Sequence, residues 1–238
     1  MKFPAPLLEG TLIRRYKRFL ADIRLADGTL VTAHTPNTGA MTDCNVPGSR
    51  VWLRQSGNPR RKYPLSWELV EAPGGALVGI NTTLANRLVR EAIENGVIAE
   101  LQGYSGLRTE AAYGEENSRI DLLLDKGDGR RCFVEVKNVT LVENGIALFP
   151  DAVSKRGAKH LRELAAMVRQ EQRGVIFFCV QRQDAGEVRP ADAIDAAYGL
   201  TLRQALAQGV EALAYDCRVA PSAIEVRRPL PVSCPALS

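Results

Sequence analysis

The chain has 238 residues, 45% apolar and 24% charged, with 31 Lys+Arg against 27 Asp+Glu for a formal net charge of +4. That is enough material for one large domain or two small ones. No run approaches about 18 uninterrupted apolar residues and the N-terminus, MKFPAPLLEG, lacks a signal-peptide core, so a soluble cytoplasmic protein with no membrane role is expected. The five cysteines are scattered without a CxxC or Cys/His cluster, which argues against a disulfide framework and a zinc site.

Residues 7–80 read as short strands broken by turns: LEGTLIRRY, RFLADIRLA, TLVTAHT, RVWLRQS, LSWELVEA and ALVGI. Phe19, Ala21, Ile23 and Leu25 alternate with other residues as a half-buried strand does. Five or six such strands predict a small β-barrel of the OB type over residues 1–80. The basic excess lies here, with 11 Lys+Arg and 6 Asp+Glu (+5), against 20 and 21 (−1) in the rest. Arg14, Arg15, Lys17 and Arg18 interleave with Tyr16 and Phe19, and Arg60, Arg61 and Lys62 precede Tyr63. Cations that neutralise phosphates beside aromatics that stack on bases make these ten residues a candidate nucleic-acid surface. The plainer alternative is a solvated basic rim with its aromatics turned inward. Between the strands, HTPNTGAMTDCNVPGS from His34 is a long run of turn chemistry, of a length uncommon unless functional or packed.

From Thr83 the pattern becomes helical, with Leu84, Leu88, Val89, Ala92 and Ile93 on one stripe, Thr83 as cap and Glu91 at the edge of the stripe. A strand over Leu107–Tyr113 carries Glu110. Ile120 to Leu141 follows, two apolar runs around a Gly-rich connection, which is a hairpin signal. Asp121 lies on the first run. Glu135 and Lys137 share one face of the second with Phe133. Two carboxylates on adjacent strands are what Mg²⁺ or Mn²⁺ needs, and a Lys beside them can hold a phosphate or a water. The alternative is a solvated ion pair. Next come a strand ending at Phe149 and a helix over Ser154–Gln172. The helix start is basic, with Lys155, Arg156 and Lys159, and His160 reads as a structural histidine. VIFFCV is a strand covered on both faces. A helix over Ala191–Gln208 and strands over Val210–Cys217 and Ala223–Arg228 complete an α/β domain, a mixed sheet flanked by helices, over residues 81–238.

Helix, strand, strand with Asp, strand with E-x-K, basic helix, buried strand resembles the PD-(D/E)XK nuclease superfamily over residues 84–182. The resemblance implies metal ligands at Asp121 and Glu135, a motif lysine at Lys137, and an accessory acid at Glu91 or Glu110. RYKRFLADI, HTPNTGAM, GINTTLANRLVREAI, ENSRIDLLL, FVEVKNVTL, FPDAVSKRGAKHLREL and GVIFFCV are similar, in this order, to the sugar fermentation stimulation protein A family of bacteria. That resemblance implies an OB-like domain, a nuclease-like domain, non-specific DNA binding and a regulatory link to maltose metabolism. Three readings stay open: a DNA-binding regulatory factor, an active Mg²⁺- or Mn²⁺-dependent nuclease, and an interaction module without nucleic acid. The expected partner is DNA, with RNA as the alternative.

Overall fold

The computed structural model describes residues 1–114, 118–127 and 129–235. Asp128 in the Gly-rich connection, and Glu116 and Asn117 at the head of ENSRIDLLL, lie outside the described residues.

The first unit is built from β1 (Leu8–Tyr16), β2 (Leu20–Leu25), β3 (Leu30–His34), β4 (Arg50–Gln55), β5 (Leu65–Glu71) and β6 (Leu77–Gly79). Antiparallel pairing in the order β3-β2-β1-β4-β5 is closed by a parallel contact of β3 with β5, and β6 extends the sheet past β5. This is the expected closed OB barrel. Leu12, Ile23, Val51, Leu53 and Trp67 fill it, and the Trp67 indole N–H donates to the Leu69 carbonyl at 2.8 Å, so its polar end is satisfied. Phe19 departs from the expected alternation and is 45% exposed. Lys17 and Arg18 take left-handed backbone, which puts Phe19 in the turn and leaves Leu20 to pair with Tyr16 and enter the core.

The second unit comprises α1 (Ala85–Glu94), β7 (Gly106–Tyr113), β8 (Ser118–Asp125), β9 (Arg131–Val139), β10 (Leu141–Glu143), β11 (Ile146–Phe149), α2 (Lys155–Arg169), β12 (Arg173–Val180), β13 (Glu187–Pro190), α3 (Asp192–Ala207), β14 (Glu211–Ala220) and β15 (Ala223–Pro229). Its main sheet runs β7-β8-β9-β12-β14-β15, with β9, β12 and β14 parallel and the outer pairs antiparallel. Leu88 and Val89 of α1 cover one face with Val134 and Phe177, while Leu161 and Leu164 of α2 and Leu202 of α3 cover the other with Phe133 and Phe178. Alternate residues of β12 thus feed opposite cores, which explains its unbroken apolar run. The helix starts later than its pattern implied: a single 3-10 turn, Thr82–Leu84, comes first, and Asn81 caps it by accepting the Thr83 N–H at 3.0 Å. β10 and β13, three and four residues long, join β11 in a small separate sheet. Among the described residues no helix is long and apolar enough to cross a membrane.

The two units share a core. Trp52 and Leu69 of the barrel pack with α1, and so do Met1 and Phe3, whose segment bridges to Ala223 of β15 and not to the barrel. Arg182, 3% exposed along its side chain, binds Asp43 of the first unit at 2.5 Å and Asp184 and the Thr140 carbonyl of the second at 2.7 and 2.6 Å. The Gly79 N–H donates to the Gln181 carbonyl at 2.8 Å, and a Cβ on Gly79 would run into the Gln181 side chain.

Candidate metal and nucleic-acid site

β8 and β9 pair from Asp125–Arg131 to Leu122–Val134 and then part. One residue beyond the last pair, the Asp121 Oδ2 accepts the Val136 N–H at 2.7 Å in place of a ladder bond, while β9 continues along β12 to Val139. The splayed strands open a cavity of about 530 Å³ with both acids in its lining. Asp121 Oδ1 also accepts the Asn86 amide of α1 at 2.8 Å. Glu135, 2% exposed, accepts the Lys137 ammonium on Oε1 at 2.7 Å and contacts His160 Nδ1 through the same oxygen. Its Oε2 is buried without a partner among the described residues. Arg156 Nε donates to His160 Nε2 at 3.3 Å, so the network assigns the proton to Nδ1, facing Glu135.

The two acids are driven apart electrostatically. Burial, then the charge of Glu135, pushes the Asp121 carboxyl above its ordinary value, against the bonds from Val136 and Asn86. Burial also pushes Glu135 upwards, but the bond from His160 and the Lys137 cation outweigh it and hold the carboxyl below the usual range. The signs for stability follow. Asp121 binds its proton more tightly folded than unfolded, so it costs stability as pH rises from the unfolded towards the folded value; Glu135 stabilises above its unfolded value and loses this as pH falls through its lower folded one. Glu135→Gln is expected to lower the Asp121 pKa by removing the second cause, as read by carbon NMR of the Asp121 carboxyl. An unchanged value would show that the Glu135 charge plays no part in setting it.

The cavity wall comes from both units. Arg18, Asn37, Thr38 and Gly39 line it from the barrel side, and Asn86, Asp151, Ser154, Arg156 and His160 from the other. The long loop after His34 is therefore packed onto the site. Arg15 holds it there: one guanidinium nitrogen donates to the carbonyls of Arg18, Asn37 and Gly39 at 2.6, 2.9 and 3.0 Å, and another to Ala40 at 3.2 Å. Asp151 accepts the Met41 N–H at 3.1 Å, and its carboxylate occupies the space a Cβ on Gly39 would need.

Of the residues singled out in the sequence, Asp121, Glu135, Lys137, Arg18 and Arg156 meet in this cavity. Glu91 does not; it pairs at 2.7 Å with the Met1 ammonium. Glu110 is exposed at a left-handed position of β7, outside the cavity lining. Arg14 pairs with Asp22 at 2.8 Å and lies over the Tyr16 ring, and Arg15 is spent on the loop. Arg61 donates to Ser66 at 3.0 Å, Lys62 lies over the Tyr63 ring, and Arg60 is exposed. Lys17 is exposed, and Lys159 is half-buried outside the cavity lining. Leu20 pairs with His34, and His34 with Ser66, so the β1–β2 turn and the β4–β5 loop meet at one end of the barrel. Burial, then the nearby Arg61 cation, lowers the His34 pKa, in keeping with that proximity.

Asn86, Asp151 and Asn37 were not foreseen. Their only sequence signal was position, Asn86 in the first turn of the helix and the others in turn-rich segments. Among the described residues no three His, Cys, Asp or Glu side chains form a cage for a metal ion. Asp121 and Glu135 offer a pair of hard oxygen donors with a spare buried lone-pair site on Glu135, which suits an ion that keeps several waters.

Two family descriptions match the chain in tandem: "SfsA N-terminal OB domain" over residues 13–80 and "Sugar fermentation stimulation protein RE domain" over residues 83–223. Sugar fermentation stimulation protein homologs from Geobacter metallireducens and Thioalkalivibrio sulfidiphilus are 63% and 59% identical over 232 and 233 residues, in each case 98% of this chain and 99% and 98% of the relative. A solved structure of Pyrococcus furiosus SfsA in complex with Ca²⁺ is 28% identical, covers 98% of both chains and superposes with a TM-score of 0.88. With an OB barrel and a mixed-sheet domain in this order, and similarity along nearly its whole length, the chain belongs to the sugar fermentation stimulation protein family.

Proposed function

We propose that this protein binds DNA and holds a divalent cation, Mg²⁺ or Mn²⁺, on Asp121 and Glu135 for hydrolysis of a phosphodiester. The observation that carries this reading is the unpartnered, buried Oε2 of Glu135 beside a second carboxylate in a cavity open to both units. A buried carboxylate oxygen without a donor is costly, and a cation relieves it. That the Pyrococcus relative was solved with Ca²⁺, another hard oxygen-seeking ion, supports the same reading. When bound, the ion would lower the pKa of a coordinated water and offset charge on the phosphate. The chain's own groups do the rest. Asn86 and the Val136 N–H fix the Asp121 carboxylate; His160 and Lys137 fix Glu135; Lys137 is within reach of a water or phosphate entering the cavity. Arg18 from the first unit and Arg156 from the second line the cavity and would bind phosphate oxygens. Residues 1–80 present the strand and residues 81–238 carry the acids.

DNA approaches, in this reading, along the barrel end formed by the β1–β2 turn and the β4–β5 loop, the two loops with which OB barrels commonly bind oligonucleotides. Lys17, Arg18, Arg60 and Lys62 carry the exposed charge there. Their joint replacement by Ala is expected to reduce the slope of log affinity against log salt by about 0.9 per lost contact on duplex DNA. A titration series from low to moderate salt reads this, and an unchanged slope would place the DNA surface elsewhere.

The deciding experiment incubates the full chain with plasmid and single-stranded DNA in Mg²⁺, Mn²⁺, Ca²⁺ or EDTA. Metal-dependent cleavage is expected, and absence of both binding and cleavage would overturn the proposal. A second reading, a DNA-binding regulatory factor for sugar metabolism such as that of maltose, is favoured by one feature: Lys137 and His160 both bind the Oε1 of Glu135 and so offset its charge from within the chain itself. It corresponds to retardation without cleavage.

A further inference from the structure

We propose that the DNA taken by this site is unpaired, with a base stacked on Phe19 at the mouth of the acidic cavity. The inference rests on the nucleic-acid reading above and names its substrate class. Among the described residues Phe19 is the one aromatic side chain in the set of exposed large hydrophobics, at 45% exposure. The ring presents apolar surface to water next to the exposed cations Lys17 and Arg18. The turn that presents it is held at a cost: Lys17 and Arg18 are successive non-glycine residues at φ 50° and 63°. Arg15 pins that turn by binding the Arg18 carbonyl at 2.6 Å, together with the Asn37 and Gly39 carbonyls of the cavity wall. Strain maintained by dedicated contacts is a mark of a functional position.

Phe19 is tied to the cavity through its neighbours. Arg18 lines it, and the Phe19 carbonyl accepts the N–H of Thr35, two residues before Asn37 in the wall. Val153, 69% exposed, forms an apolar rim among the cavity-lining residues of the second unit. The recess is of small-molecule size, about 530 Å³, and Glu135 lies at 2% exposure within it. A phosphate reaching the acids must enter between walls from both units, as a single backbone can. The bases of a duplex are stacked on one another and offer Phe19 no free face, whereas an unpaired base does. The surrounding cations supply the complementary charge without reading sequence.

The test uses the full chain with Ca²⁺, fluorescent oligothymidylate and a blunt duplex of equal length. Phe19→Ala is expected to weaken oligothymidylate binding about tenfold, within the range for loss of one base–aromatic stack, and to leave duplex binding unchanged. Phe19→Trp should restore it and Phe19→Leu, which keeps bulk without an aromatic face, should not. Quenching of a 2-aminopurine placed in the oligonucleotide should be lost in Phe19→Ala. Equal losses on both DNAs, or none on oligothymidylate, overturn the proposal, and so does tighter binding of oligouridylate by the wild type. A wild type that binds duplex but not oligothymidylate overturns it while leaving the DNA reading intact; binding of neither overturns both.

Discussion

Lys137→Ala is expected to keep divalent-cation affinity and to lower phosphodiester cleavage by roughly 10²–10³-fold, the loss typical of one preorganised charged donor at a reacting centre. Asp121→Asn and Glu135→Gln are expected to abolish saturable binding of Ca²⁺ or Mn²⁺ in calorimetry, since each removes one of the two carboxylates that β8 and β9 bring to the cleft where they part. The separation between the lysine and the acids is the informative part. The Lys137 ammonium now offsets the charge of Glu135 at 2.7 Å, so its loss leaves the carboxylate freer for the cation while removing the group that, in the proposed reaction, meets the phosphate or water. Cleavage by Lys137→Ala at the wild-type rate would remove the lysine from the chemistry, and undiminished calorimetric binding in both acid variants would move the metal elsewhere.

Arg182→Met should cost about 3 kcal/mol, the lower end for removing one partner of a buried ion pair, because Asp43 and Asp184 keep some contact with water at 22% and 39% side-chain exposure. For a chain of this size that is a fall in Tm of roughly 6–12 °C. The guanidinium joins the loop after His34 to the end of β12, so the barrel should also lose its coupling to the main sheet, visible as a second transition in thermal unfolding. A change below about 0.5 kcal/mol, the level of an ordinary surface substitution, would show that Arg182 holds nothing.

Periodicity carried most of the architecture. The alternation of Ala21 and Ile23 placed β2, the helical stripe through Leu88 and Val89 placed α1, and the unbroken VIFFCV placed the central strand β12. β10 and β13 escaped because three or four residues between turns are too few for a period to appear. Phe19 was misplaced for a related reason: a pattern does not show where a left-handed turn interrupts it, and neither Lys17 nor Arg18 advertises such backbone as a glycine would. At the site, Asp121, Glu135 and Lys137 were legible because strand pairing brings near neighbours together. Asn86, Asp151 and Asn37 were not, since they converge only when the loop of one unit docks on the other. The same limit affected the cations. Arg14, Arg15, Arg18 and Lys17 look alike in sequence, yet only tertiary partners separate Arg15, which clamps a loop, and Arg14, which pairs with Asp22, from Lys17 at the surface and Arg18 at the cavity.

Asp121 takes the backbone N–H of Val136 where the two strands separate. The carboxylate therefore closes the β8–β9 pairing as well as being a candidate ligand, and a small apolar replacement would leave the Val136 amide without its acceptor at a cost of about 1–3 kcal/mol. A relative of this chain that performed no chemistry would still be penalised for losing the acid, whereas among the described residues no backbone contact comparably retains the amine of Lys137. In sampling variants for function, tolerance at position 137 is the sensitive indicator, and persistence of an acid at 121 reports the integrity of the sheet.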